Sequence, residues 1–157
     1  MSSSTKLNVD SFEIEVSPTL YRSIIGSLLY LTTNKLDIAF SVGVCARYQA
    51  APKESPLTMV KQIIRYVNGT LDYGLWYSKD SNACLAGYSD ANWVGSVDDQ
   101  KSTSGGFFYL GNNLVSWMSK KKNLVSLFTT EAEYIAAGSC CTQFLWMKKL
   151  LHDYGIP

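Results

Sequence analysis

Apolar positions in the first half of the chain recur at helical spacing. Tyr21, Ile24, Ile25, Leu28, Leu29 and Leu31 predict one amphipathic helix. Leu36 to Tyr48 is short, rich in β-branched residues and apolar on most sides, through Ile38, Phe40, Val42, Val44 and Cys45. It reads as a buried helix. A third helix is expected between Ser55 as N-cap, with Pro56 in the first helical position, and the stop signal Asn68-Gly69. Its stripe is Met59, Val60, Ile63, Ile64 and Val67, with Lys61, Gln62 and Arg65 facing away.

After Gly69 the period changes. Leu71 to Tyr77 predicts a strand, closed by the turn residues Ser78 to Asn82, and Cys84 to Asp90 predicts the next. Residues 92–106 are polar and rich in Ser, Gly and Asp, and read as a long loop. Phe107 to Leu110 and Leu114 to Met118 form a hairpin across Gly111-Asn112-Asn113. The lysine run Lys120-Lys121-Lys122 and a short apolar stretch, Leu124 to Phe128, lead into a final helix from about Thr130 to His152. Thr130 with Glu133 fits a capping box. The expected class is α/β, with a flexible N-terminus (1–17), a helical segment (18–70) and a strand-and-helix segment (71–157) whose sheet has an open edge.

Composition narrows the function classes. The 157 residues, 46% hydrophobic, suit a globular chain of one ordinary domain or a small domain with a helical appendage. A net charge of +1 gives no bulk signal for nucleic acid, so any such contact must come from a local patch. No signal-peptide core or membrane-length apolar run is visible, and the chain reads as soluble and intracellular. Cys45, Cys84, Cys140 and Cys141 form no C-x-x-C pair, and His152 is the only histidine, which argues against zinc and for free thiols.

The candidate chemistry is acidic. Asp90 ends a strand, and Glu131 and Glu133 open a helix. An Asp leaving a strand and a Glu in the first turn of a packed helix can meet at a sheet edge, where a hard cation such as magnesium or manganese would offset their repulsion. Each also has an ordinary explanation: a turn cap for Asp90, the helix dipole and a cap for the glutamates. Glu131 and Glu133 are two apart and point differently, so one of them is expected at the site. Lys120, Lys121 and Lys122 are candidates for phosphate contact, although charge runs commonly sit on a solvated face.

Gly87-Tyr88-Ser89-Asp90-Ala91-Asn92-Trp93-Val94-Gly95, Lys101-Ser102-Thr103-Ser104-Gly105-Gly106, Val115-Ser116-Trp117 and Thr130-Glu131-Ala132-Glu133-Tyr134-Ile135-Ala136 together resemble the ribonuclease H region of copia-type long-terminal-repeat retrotransposon polyproteins. Tyr21 to Leu31 and Arg65 to Thr70 resemble the segment that connects reverse transcriptase to ribonuclease H in the same family. The resemblance covers nearly everything after about residue 17. It implies a partial ribonuclease H-like fold, magnesium or manganese as cofactor, and an RNA–DNA hybrid as substrate, cleaved on its RNA strand by a two-metal mechanism. It further implies the rest of a Pol polyprotein as partner, no membrane, no small-molecule substrate, and a place in a cytoplasmic particle or the nucleus.

By position Asp90 matches the family's first aspartate, and Glu133 matches its glutamate through Glu133-Tyr134-Ile135-Ala136-Ala137, with Glu131 as the fallback. Asn92 and Phe128 depart from the family pattern, an acidic and a small hydroxyl residue respectively, and Phe128 is expected to crowd the helix start. The family's third acidic residue would fall after Ile156-Pro157. Asp153 is no substitute, about 30 Å along the helix from its first turn at roughly 1.5 Å per residue. No efficient turnover is therefore expected of this chain alone. The rival expectations are a non-catalytic nucleic-acid binder and a mobile-element relic without function.

Overall fold

A computed structural model describes residues 14–79, 82, 84–95 and 100–156. The chain divides between Gly74 and Leu75 into two compact units. Among the described residues these hold four α-helices and one three-stranded antiparallel sheet: an α/β fold with an N-terminal helical part followed by a partial ribonuclease H-like fold.

The first unit contains α1 (Pro18–Leu31), a 3-10 turn (Leu36–Ile38), α2 (Ala39–Ala46) and α3 (Glu54–Gly69). Its core is the stripe the sequence predicts: Tyr21, Ile25 and Leu28 of α1 against Val42 and Cys45 of α2 and Val60 and Ile63 of α3. The Tyr21 hydroxyl, buried among them, donates to the carbonyl of Cys45 at 2.9 Å, so the phenol's polar end is satisfied. The segment 36–48 is not one helix. Lys35 is extended (φ −119°, ψ 92°), and a single tight turn precedes the eight residues of α2. α3 begins two residues earlier than Ser55 as N-cap would place it, with Lys53 in the cap position and no side-chain cap bond. Pro56 then falls inside the first turn, where its missing N–H leaves no bond unmade. Residues 1–13 lie outside the described residues, but 15–16 do not behave as a loose end. Val16 N–H donates to the carbonyl of Pro52 at 3.1 Å, and Glu15 meets the Lys53 ammonium at 3.4 Å.

Leu71 to Tyr77 forms no strand. The Lys35 ammonium takes the carbonyls of Thr70 (2.7 Å) and Tyr73 (3.3 Å), folding the chain back into a turn as α3 ends. Among the described residues no ladder partner meets the backbone beyond it, and Trp76 stands 90% exposed. Alternation alone cannot make a strand without a neighbour for its N–H and C=O groups.

The second unit is a meander, β1 (Leu85–Asn92), β2 (Thr103–Leu110) and β3 (Asn113–Lys121), in that spatial order, with α4 (Thr129–Asp153) on one face. β2 and β3 turn over Gly111, whose φ of 60° needs glycine at the first turn position. β2 starts within the stretch expected to be loop. Ser102, Thr103 and Ser104 are buried, and their small size hides a strand that the polar composition masks. Part of the expected 78–82 turn (80 and 81) lies outside the described residues. Asn113 holds Ser78 at both backbone groups, accepting from its N–H at 2.8 Å and donating to its C=O at 2.9 Å.

α4 lies close to the sheet because its buried residues are small: Ala132, Ala136 and Cys140. Gly87 completes the approach. A Cβ there would stand 3.1 Å from the Phe144 ring and 3.3 Å from that of Phe108.

Candidate functional site

Gly87 faces α4, so alternation sends Ser89 and Ala91 to that face and Tyr88, Asp90 and Asn92 to the other. Asp90 pairs with Gly105 near the end of β1 and is exposed. Past Asn92 the chain turns at Trp93 and Val94. Val94 sits at φ 47°, strained for a β-branched side chain, and its N–H donates to the Ser102 hydroxyl at 3.3 Å. Trp93 Nε1–H donates to the carbonyl of Ser126 at 3.1 Å, tying the end of β1 to the segment that enters α4.

The entry to α4 differs from the expected capping box. Phe128 occupies the cap position, which makes no side-chain cap bond. It does not crowd the helix: its ring is 68% exposed. Glu131 does the capping, its Oε2 accepting from the N–H of Leu127 at 2.8 Å. Thr130 and Glu133 therefore do not form the predicted box. The two glutamates part roles, Glu131 holding the turn and Glu133 standing exposed with no hydrogen bond or ion pair among the described residues.

The direction of Glu133 follows from what surrounds it on the helix. At about 100° per residue, Glu133 lies within roughly 20° of both Cys140 and Phe144 around the α4 axis. Those two face β1: Phe144 at Gly87, and Cys140 through Sγ to the carbonyl of Tyr88 at 3.7 Å. The opposite flank carries Ser139, which accepts from the Lys122 ammonium just after β3. Glu133 is thus on the β1 side. The order Phe144 at Gly87, Cys140 at Tyr88 makes α4 antiparallel to β1. Seven residues back along the helix is about 10 Å, and two to three residues onward along the strand is about 7–10 Å. Glu133 therefore comes level with Asp90 and Ala91 along the strand, on the α4 face of β1, while the Asp90 side chain leaves from the other face. The oxygens of both carboxylates suit a hard cation, but the described residues hold no group of three His, Cys, Asp or Glu side chains fit for a metal.

The lysine run divides. Lys122 turns inward to Ser139, and its N–H donates to the carbonyl of Ser102 at 2.8 Å. Burial, and then Lys120 nearby, hold its ammonium below the ordinary lysine range. Lys120 is exposed and Lys121 half-exposed at the end of β3. Sequence reasoning missed Ser139, for which an interior serine of a helix gives no signal. Of the cysteines, Cys45 and Cys140 are buried and Cys84 and Cys141 exposed, all free thiols. No described helix is long and apolar enough to cross a membrane.

No family model and no solved structure matches the chain. Curated proteins do. The chain is 37% identical over 156 residues to the retrovirus-related Pol polyprotein from transposon RE2 of Arabidopsis thaliana, covering 99% of this chain and 11% of that protein. It is 39% identical over 137 residues to the corresponding polyprotein from transposon TNT 1-94 of Nicotiana tabacum, 87% of this chain and 10% of that one. It is 38% identical over 128 residues to the secreted RxLR effector protein 161 of Plasmopara viticola, 81% of this chain and 90% of that protein. The chain thus spans about a tenth of the polyproteins it matches and nearly the whole of a much shorter relative. With the helical part, the β1–β3 meander and α4 in the expected order, the chain belongs to the family of copia-type retrovirus-related Pol polyproteins.

Proposed function

We propose that this chain carries one half of a ribonuclease H site, in which Asp90 and Glu133 hold a magnesium or manganese ion against an RNA–DNA hybrid. The observation that carries the reading is the antiparallel seating of α4 on β1, which brings Glu133 level with Asp90 while Glu131 is occupied by the cap. A divalent ion bound there would polarise a phosphodiester and activate water. The chain's own residues supply two carboxylates for that ion, and Lys120 and Lys121 at the end of β3 for the hybrid's phosphates. RNA would be told from DNA by its 2′-hydroxyls. Two carboxylates bind a hard cation weakly, so the chain alone turns over no hybrid efficiently. In the polyprotein, neighbouring segments complete the site.

The test is paramagnetic line broadening by manganese, read in amide spectra beside a cleavage assay on labelled hybrid. Broadening centred on residues 89–92 and 131–134, abolished in Asp90→Asn and in Glu133→Gln but kept in Glu131→Gln, is the expected result. Broadening elsewhere, or unchanged in Asp90→Asn, overturns the assignment. Efficient cleavage lost in Asp90→Asn would show that the chain completes its own site.

A second reading has its own support. The effector relative consists of little besides this region, so the region occurs as a free-standing protein. In this reading the sheet and Lys120–Lys121 bind nucleic acid without cutting it. Binding would then fall steeply with salt and be indifferent to Asp90→Asn. Salt-insensitive binding, or none, removes it.

A further inference from the structure

Burial alone does not fix the seating of α4. The face it lays on the sheet, Ala132, Ala136 and Cys140, is small, while Tyr134, Leu145 and Trp146 stay exposed elsewhere around the helix. Apolar burial is non-directional, so it does not by itself choose among these faces. Directional bonds must hold the roll of the helix about its own axis.

Two flanks of α4 carry such bonds. On the β1 flank Cys140 Sγ reaches the carbonyl of Tyr88 at 3.7 Å, and a thiol is a weak donor. On the other flank the Lys122 ammonium donates to the Ser139 hydroxyl, which in turn donates to the carbonyl of Ile135 at 3.0 Å. An ionised donor makes the stronger bond. The backbone of Lys122 is tied at the same time to the turn that follows Asp90. Its N–H donates to the carbonyl of buried Ser102 at 2.8 Å, and the Ser102 hydroxyl accepts from the N–H of Val94 at 3.3 Å. One residue thus links the end of the strand that carries Asp90 to the helix that carries Glu133.

We propose that Lys122 is a positioning residue: held by Ser102 and holding Ser139, it sets the roll of α4 and so keeps Glu133 on the β1 flank, level with Asp90. It touches neither the ion nor the hybrid, unlike its neighbours Lys120 and Lys121. Ser139 lies about 120° from Glu133 around the helix, so a pull on one flank turns the other. With side chains the helix is about 10–12 Å across, and a roll of about 30° moves a side-chain end by about 3 Å. That exceeds the whole length of a metal–oxygen bond, about 2.0–2.6 Å. The claim about the ion rests on the ribonuclease H reading; the claim about the seating of α4 does not.

The experiment compares Ser139→Ala, Lys122→Met and the double variant with the wild-type chain by two signals. The first needs no metal: the through-space proton cross-peak between the Phe144 ring and Gly87, which face each other across the helix–sheet junction. The second is the manganese midpoint read from broadening at residues 89–92 and 131–134. Each single variant should weaken the cross-peak at least about fivefold and raise the midpoint about tenfold, with the amides of β1–β3 still protected. The double variant should be no worse than either, since both changes break the same bond. Loss of a nearby positive charge alone would tighten a cation, so the expected direction for Lys122→Met is opposite to a simple charge effect. Ser139→Ala puts a good helix former in place and carries the test if Lys122→Met does not fold. An unmoved cross-peak, effects that add in the double variant, or a midpoint that stays in place while the cross-peak is lost overturns the proposal. A wild-type chain without broadening at these residues removes the metal reading instead, and the cross-peak then decides the seating of α4 by itself.

Discussion

The helical unit and the sheet unit bury themselves in opposite ways. The first closes a core of large side chains from all three of its α-helices, Tyr21, Ile25, Val42, Val60 and Ile63 among them. The second buries mostly small ones, Ala132, Ala136 and Cys140 beneath α4 and Ser102 to Ser104 in and beside β2, with Phe108 the one large fully buried side chain among its described residues. Its bulky residues stay outside: Tyr134 is 81% exposed and Tyr88 62%. A unit held by close approach rather than by volume depends on few positions and keeps much apolar surface for others to cover.

The contrast predicts where substitutions hurt. The largest effect is expected of Phe108→Ala, about 3–5 kcal/mol, because the ring is fully buried between sheet and helix and its removal leaves a cavity there. Amides of β1–β3 should lose protection in hydrogen exchange. The helical core should show itself in alkali. Burial pushes the Cys45 thiol up to about 12 from 9.0, and burial first, then Cys45 and Tyr48 nearby, raise the Tyr21 phenol further. Both folded-state values lie above the unfolded ones, so this stability is whole below about pH 9. It is lost as pH rises toward 12, by an amount on the order of a few kcal/mol. Urea midpoints across that range should fall, and Cys45→Ala should flatten part of the slope. Gly87→Ala should cost about 1–2 kcal/mol, since the added methyl must displace the rings of Phe144 and Phe108. Thermal melts would show it. Smallest, and opposite in sign, is Phe128→Ser. A hydroxyl at the cap position should add about 1 kcal/mol and slow exchange of the first-turn amides of α4.

The same contrast explains what the sequence could reveal. The helical core was legible because volume and period coincide: Tyr21, Ile25 and Leu28 share one helical face and all three are buried. α4 was legible in its length and its small-residue face. β2 was not, since Thr103-Ser104-Gly105-Gly106 looks like loop until a helix is laid on it. Leu71 to Tyr77 misled in the other direction: its apolar residues promise a strand, and strands are made by neighbours. At the candidate site, Asp90 and the pair of glutamates were visible as letters. Their division of labour was not, because it turns on a backbone N–H at Leu127 that Glu131 reaches and Glu133 does not. The inward turn of Lys122 was hidden for the same reason, its partner being an unremarked helix serine.

All four tryptophans, Trp76, Trp93, Trp117 and Trp146, fall after residue 75, and none lies in the helical unit. Light absorbed near 295 nm is therefore emitted by the sheet unit alone. Trp76 is largely in water already and will change colour little on unfolding, and Trp146 is more than half exposed. Trp93, whose indole N–H is bonded to Ser126, and half-buried Trp117 will carry the larger part of the spectral shift. An unfolding curve followed by tryptophan emission thus watches the end of β1 and the middle of β3, and is blind to the helical core, which only far-ultraviolet dichroism or tyrosine signals would record.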